Sequence, residues 1–151
     1  AVAKVEPVPH RLQLSAGAGG VTIIDDSFNA NPVGAKAALE VLDDFGRAPN
    51  GGKKVLVTPG MVELGEQEYE ENRRFGERAA LVCDRVILVG RNRTAPILEG
   101  LKTANYPKDR VSIAANLAEV KDYLAKLLKP GDVVLFENDL PDNYNESSVS
   151  P

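Results

Sequence analysis

Short apolar runs alternate with amphipathic segments along most of this chain. Residues 54–58, with Val-Leu-Val at the centre, are typical of a strand buried on both faces of a parallel sheet. Residues 85–89, 111–113 and 132–136 also read as strands. Helical periodicity predicts four helices between the strands, at 32–45, 66–82, 94–101 and 117–128. The alternation predicts an α/β fold: a doubly wound, mostly parallel, Rossmann-like sheet with helices on both faces.

Two short segments near the start predict an N-terminal β-hairpin. Residues 12–15 alternate between apolar and polar, residues 21–24 form a β-branched run, and Gly17-Ala18-Gly19-Gly20 separates them. A glycine-rich phosphate loop must open a helix, and this one leads into a strand. The glycines are therefore interpreted as a turn.

The composition limits the domain organisation and the class of partner. The length of 151 residues predicts one domain, here 11–138, between a linker remnant at 1–10 with Pro7 and Pro9 and a flexible tail at 139–151. A net charge of −4 argues against nucleic acid or an anionic membrane as the main partner. No apolar stretch approaches about 18 residues. These features predict a cytoplasmic protein.

The only cysteine is expected to be structural. Cys83 excludes an intrachain disulfide, which fits a reducing compartment. It follows the apolar run Ala79-Ala80-Leu81-Val82, so a buried small hydrophobic residue is favoured over a nucleophile.

The densest group of polar side chains follows the second strand. Asp25, Asp26, Ser27, Asn29 and Asn31 precede a helix that begins at Pro32. Ligands of open α/β sheets usually bind at such a strand-to-helix junction. Asn31 is interpreted as the helix cap. For Asp26, Ser27 and Asn29 a functional role is favoured, because adjacent carboxylates repel each other unless something compensates for their charge.

Other polar loops are expected at the same edge of the sheet, at 58–65, 90–93 and 137–139. Such a crevice suits a polar, zwitterionic or sugar-like ligand. The single histidine, His10, excludes a multi-histidine metal site, and neither G-x-x-x-x-G-K-[ST] nor G-x-G-x-x-G after a strand is present. A receiver-type phosphoacceptor domain is disfavoured because this central strand ends in Thr58-Pro59-Gly60, where a further aspartate would be needed. A stand-alone Rossmann-like module that binds a nucleotide or a small polar ligand is the alternative function.

Two motifs resemble the C-terminal domain of the Mur ligases, most closely in the members that add D-alanyl-D-alanine. The first is Asp25-Asp26-Ser27-Phe28-Asn29-Ala30-Asn31-Pro32, which is similar to D-D-S-Y-N-A-N-P. The second is Gly60-Met61-Val62-Glu63-Leu64-Gly65, which is similar to G-D-M-x-E-L-G. Arg74-Phe75-Gly76 also resembles a later R-x-V-G turn, so the resemblance spans about residues 8–136.

The resemblance implies a role in peptidoglycan precursor synthesis. In such ligases one domain binds the UDP-muramoyl substrate, a central one carries the ATP phosphate loop, and the third closes over both. ATP phosphorylates the muramoyl-peptide carboxylate, which the incoming amine then attacks. By motif position, Arg11 and Asp26 would bind ATP, while Ser27, Asn29 and Asn31 would lie near the incoming dipeptide. Mg²⁺ and most of the ATP contacts would belong to the central domain, so this chain alone is expected to be inactive.

Three departures from the resembled pattern leave the amine acceptor open. Phe28 stands in place of a tyrosine, and Thr58-Pro59-Gly60 in place of Leu-Gly-Asp. Phe136-Glu137-Asn138-Asp139-Leu140-Pro141 occupies the place of a lysine-containing K-G-S motif. The acceptor expected from the resemblance is D-alanyl-D-alanine. The loss of the cation leaves another amine acceptor, or a related polymer substrate, as the alternative.

Overall fold

The computed structural model describes residues 13–16, 20–26, 32–46, 52–61 and 64–137, without the side chains of 13–16, 26 and 46. The strands are β1 (Gln13–Ala16), β2 (Thr22–Asp26), β3 (Lys54–Thr58), β4 (Arg85–Val89), β5 (Val111–Ala114) and β6 (Val133–Glu137). The helices are α1 (Pro32–Gly46), α2 (Glu68–Val82), α3 (Ala95–Thr103) and α4 (Leu117–Leu127). The predicted linker and tail lie outside the described residues.

The six strands form one sheet in the order β1-β2-β6-β3-β4-β5. β1 pairs antiparallel with β2, with Ser15 opposite Ile23, and the other four pairings are parallel. The predicted mostly parallel sheet and its N-terminal antiparallel pair are therefore confirmed. β6, the last of the described strands in sequence, lies between β2 and β3.

Helices cover both faces of the sheet, as predicted. Three of the described helices, α1, α2 and α3, pack on one face, and α4 packs on the other. Successive residues of β3 alternate between two apolar clusters: Leu56 packs with α1, α2 and α3, whereas Val55 and Val57 pack on the side of α4. Because each central strand is buried on both faces, its sequence is a continuous apolar run rather than an alternating one.

The helix boundaries differ from the predicted ones by a few residues. A single 3-10 turn, Gly65–Gln67, precedes α2, so the helix proper begins at Glu68 rather than Glu66. α3 continues to Thr103, two residues beyond the predicted end, and the backbone N–H of Ala104 still donates to the Gly100 carbonyl at 3.1 Å. α4 begins after Asn116, whose side chain accepts a hydrogen bond from the Glu119 backbone N–H at 3.0 Å.

Cys83 is buried, as the sequence predicts. Burial raises the pKa of its thiol well above the ordinary value. The Cys83 carbonyl accepts a 2.9 Å hydrogen bond from the Tyr106 hydroxyl, and burial also raises the pKa of that phenol. The thiol is therefore protonated at neutral pH and packs as a small apolar group.

Among the helices that the structure describes, none combines the length and apolar character required to cross a membrane.

Candidate functional site

The carboxyl ends of β2, β6, β3 and β4 lie side by side at one edge of the sheet, because these four strands are consecutive neighbours and all run in the same direction. The loops that follow β3 and β4 meet at this edge. It is the position at which open α/β sheets bind ligands. We call it the carboxyl edge.

A buried hydrogen bond joins β3 to β6 at the carboxyl edge. The Thr58 hydroxyl donates to Oε1 of Glu137 at 3.1 Å, and both residues are fully buried. The same hydroxyl oxygen accepts a hydrogen bond from the Gly60 backbone N–H at 2.9 Å. Thr58 therefore links the Glu137 carboxyl group to the backbone of the turn after β3 through two hydrogen bonds.

A second buried side chain holds the other half of this turn. Asn72 of α2 is 1% exposed, and its Oδ1 accepts from the Met61 N–H at 2.9 Å. Its Nδ2 donates to the carbonyls of Met61, at 2.9 Å, and Glu68, at 2.8 Å. The amide therefore pairs with both backbone groups of Met61 and fixes the turn to the start of α2.

The loop after β4 also supports the turn. Nε of Arg93 donates to the Pro59 carbonyl at 2.8 Å, and the Thr94 hydroxyl donates to the Gly90 carbonyl at 2.6 Å. Gly60 has a φ of +88°, where a side chain would be strained. Hydrogen bonds from β6, α2 and the β4–α3 loop thus converge on Thr58–Met61, which we call the clamped turn.

The carboxyl edge is polarised. Asp25 and Asp26 end β2, and the backbone of Asp26 pairs with that of Glu137. Arg91 and Arg93 follow β4, on the other side of the clamped turn. In the part of the chain that the structure describes, no group of three or more histidine, cysteine, aspartate or glutamate side chains is arranged to hold a metal ion. The arrangement suits binding and orientation of a charged organic ligand.

Most of the residues proposed from the sequence as site residues lie outside the described ranges. These are Arg11, Ser27, Asn29 and Asn31, together with His10. Asp26 is described only as the last backbone position of β2. Their predicted roles therefore remain predictions. Of the polar loops predicted at this edge, the structure brings together residues 58–61, residues 90–93 and Glu137. Asn138 and Asp139 lie outside the described residues.

Asn72 is the residue that sequence reasoning missed. It shares the inward face of α2 with three buried residues, Phe75, Gly76 and Ala79. A carboxamide at a position where helical spacing predicts an apolar residue is a detectable signal, since such a group must find hydrogen-bond partners inside the protein.

Comparisons with known proteins agree with the resemblance of the two sequence motifs to the Mur ligases. The family model described as Mur ligase, glutamate ligase domain matches residues 10–137. The UDP-N-acetylmuramoyl-tripeptide–D-alanyl-D-alanine ligase of Mycobacterium bovis is 36% identical over 142 residues, covering 83% of this chain and 28% of the relative. A UDP-N-acetylmuramoylalanine–D-glutamate ligase of Rubrobacter xylanophilus is 33% identical over 128 residues, covering 84% of this chain and 25% of the relative.

A solved structure also resembles this chain. The MurF ligase of Thermotoga maritima, in complex with ADP, superposes with a TM-score of 0.69 at 29% identity. The match covers 89% of this chain and 28% of the Thermotoga chain. The present chain thus spans little more than a quarter of the length of these relatives.

Proposed function

This chain belongs to the Mur ligase, glutamate ligase domain family, and we propose that it is the closing, amine-substrate-side domain of an ATP-dependent Mur-type ligase. The complete protein would form a peptide bond on a UDP-muramoyl-peptide in peptidoglycan precursor synthesis. D-Alanyl-D-alanine is the first acceptor to test, because the mycobacterial relative is named for it.

The observation that carries this proposal is the share of the relatives that the chain matches. This chain matches 28% of the length of a ligase crystallised with ADP and 28% of the length of a named ligase. Matches of this extent support a domain that forms one side of an active site shared with other domains. The clamped turn suits that role, since a rigid edge can be presented to a ligand held elsewhere without reorganising.

The proposed division of labour follows the motif positions. Arg11 and Asp26 bind ATP: the guanidinium faces the phosphates, and the carboxylate accepts hydrogen bonds from the ribose or helps to fix the geometry between domains. Ser27, Asn29 and Asn31 lie near the incoming amine. The preceding domains of the same polypeptide would bind the UDP-muramoyl-peptide, Mg²⁺ and most of ATP. The proposed domain extends over 11–138, and the proposed location is the cytoplasm, where ATP is available.

The proposed chemistry consists of two displacements. The muramoyl-peptide carboxylate attacks the γ-phosphorus of ATP, giving an acyl phosphate and ADP. The neutral amine of the acceptor then attacks the acyl carbon, forming the amide and releasing inorganic phosphate and a proton. The part of this chain would be to position the amine and exclude water, because water would otherwise hydrolyse the acyl phosphate.

The test uses the full-length protein. Phosphate release is measured with ATP, a UDP-muramoyl-peptide and a panel of amines that includes D-alanyl-D-alanine. We expect acceptor-dependent release, reduced about 100-fold or more by Arg11→Ala or Asp26→Ala, since lost charge stabilisation or orientation commonly has effects of that size. Glu99→Gln on the exposed side of α3 is the control and should retain activity.

Two results would argue for other functions. If the isolated chain binds ATP with micromolar affinity in calorimetry, it is a stand-alone nucleotide-binding module, because a closing domain should bind ATP only weakly by itself. If Asp26→Ala leaves ATP turnover unchanged in the full-length protein, the domain has only a structural role.

A further inference from the structure

A cleft at the other end of the sheet, where the parallel strands begin, has no part in the proposed function. It lies between β4, β5 and the last turns of α4, and its volume is about 210 Å³. Its described lining contains no carboxylate and consists of cations, hydroxyl groups and apolar side chains, chiefly Arg85, Lys126, Ser112, Tyr123, Ile87 and Leu127. We propose that this cleft, which we call the basic cleft, binds a small phosphate monoester.

Arg85 is a cation on a face of the sheet that is otherwise apolar. Side chains alternate along a strand, so Arg85 shares its face with Ile87 and Val89, which belong to the apolar cluster under α4. Its Nη1 donates to the Asp109 carbonyl at 3.1 Å, which orients the guanidinium while using one of its five N–H donors. Among the described residues, no carboxylate forms an ion pair with Arg85 or Lys126.

The remaining polar groups reach the basic cleft from β5 and from α4. Ser112 pairs with Ile87 across the two strands, so the two residues share the face that lines the cleft. Tyr123 and Lys126 are three positions apart on α4 and lie on the same side of the helix. The Tyr123 hydroxyl donates to the Ile113 carbonyl at 3.4 Å, which holds the phenol ring as one wall. Lys126 also lies in the last turn of α4, where a cation offsets the helix dipole, but the dipole does not account for Arg85.

The chemistry of the lining favours a phosphate monoester over a carboxylate. A monoester carries about −1.5 to −2 charges near pH 7 and has three acceptor oxygens, which match two cations and a serine hydroxyl. A carboxylate has one charge and two oxygens. The apolar floor and the Tyr123 ring suit an apolar or aromatic ester group. This group must be small, because the cleft is below the range of about 300–1,000 Å³ that is typical of larger ligands.

The experiment titrates the 151-residue chain with phenyl phosphate and follows the backbone amide signals by NMR. We expect saturable shifts centred on Ile87, Ser112 and Tyr123, with a Kd in the millimolar range or below. Inorganic phosphate tests the anion without the ring, and benzoate tests an aromatic monoanion. Both should bind about tenfold more weakly, since each lacks one part of the recognition.

The variants test whether the two cations cause the binding. Arg85→Gln and Lys126→Gln should each raise the Kd for phenyl phosphate about tenfold, since each removes a charge-assisted hydrogen bond. Lys126 is exposed, so its replacement should leave the fold intact even if Arg85→Gln does not. Lys121→Gln is the matched control, because it removes the same charge from an exposed position of the same helix without lining the cleft. Its Kd should equal that of the wild type.

Three results would overturn the inference. The first is the absence of saturable shifts at the basic cleft, or shifts confined to the carboxyl edge. The second is an equal loss of affinity in Lys126→Gln and Lys121→Gln, which would indicate only a general effect of charge. The third is binding of inorganic phosphate or benzoate as tight as that of phenyl phosphate. None of these results bears on ligase activity, because the carboxyl edge lies at the opposite end of the strands.

Discussion

At the scale of single residues, the buried amide of Asn72 shows how a site can be fixed by one side chain. Replacing it with alanine leaves the N–H and C=O of Met61 without their partner, inside the protein. We expect Asn72→Ala to lower the free energy of unfolding by about 2–3 kcal/mol, the cost of orphaned buried polar groups. Urea denaturation measures the difference. Gln67→Ala, at an exposed position before α2, should change it by less than about 0.5 kcal/mol.

Asp132 gives a residue-scale prediction with a pH dependence. Burial alone raises the pKa of its carboxyl group, but the backbone N–H groups of Lys129 and Lys53 donate to it, and the Lys53 ammonium lies 3.2 Å away. The net effect is a pKa below the ordinary value of 3.8. The resulting stability is therefore present above about pH 4 and is lost as the pH falls through the folded-state pKa.

Asp132→Asn tests that linkage. At pH 7 the free energy of unfolding of the variant should be about 1–3 kcal/mol lower than that of the wild type, because the side-chain NH2 group of asparagine would face one of the two backbone N–H groups. The difference in the free energy of unfolding between the wild type and the variant should become smaller as the pH falls below 4. Urea unfolding at a series of pH values measures this difference, and a constant difference between pH 7 and pH 3 would show that the charge contributes nothing.

At the scale of elements, α2 and α3 cross where each carries a glycine. A Cβ on Gly76 would overlap the Ile97 carbonyl oxygen, and a Cβ on Gly100 would overlap the Arg73 carbonyl oxygen. Alanine normally stabilises a helix relative to glycine by about 1 kcal/mol, but here the backbones would have to separate. We expect Gly76→Ala and Gly100→Ala each to destabilise the domain by about 2 kcal/mol or more. Thermal unfolding tests this, with exposed Glu99→Ala as the control on α3; a gain in stability would contradict the close crossing.

The elements were largely predictable, whereas the contacts between them were not. β3 and β4 follow from their apolar runs to the residue, because a strand buried on both faces leaves an uninterrupted signal. The carboxyl edge follows from the order of strands and helices. The bond between Thr58 and Glu137 joins residues 79 positions apart, and no local pattern specifies which strand lies beside β3. The interactions of Asn72 likewise required the packing of α2 against the turn.

At the scale of the whole molecule, the sheet with its two apolar clusters forms a complete core. The same strands contribute to both clusters, so neither face can lose its packing without affecting the other. We therefore expect the isolated chain to unfold in one cooperative transition. Circular dichroism, which follows the helices, and tyrosine fluorescence, which includes buried Tyr106, should give the same midpoint in urea. Separate midpoints would show that the two apolar clusters do not unfold in one transition.

The same folded chain should nevertheless be inactive as a ligase when isolated. A self-contained core and a composite active site are compatible, because stability depends on the buried faces and the proposed chemistry depends on the carboxyl edge. We expect no phosphate release when the isolated chain is mixed with ATP, a UDP-muramoyl-peptide and D-alanyl-D-alanine, and acceptor-dependent release from the full-length protein under the same conditions. Coincident unfolding curves on the same sample ensure that inactivity does not reflect misfolding. Release by the folded, isolated chain would mean that the carboxyl edge forms a complete site by itself.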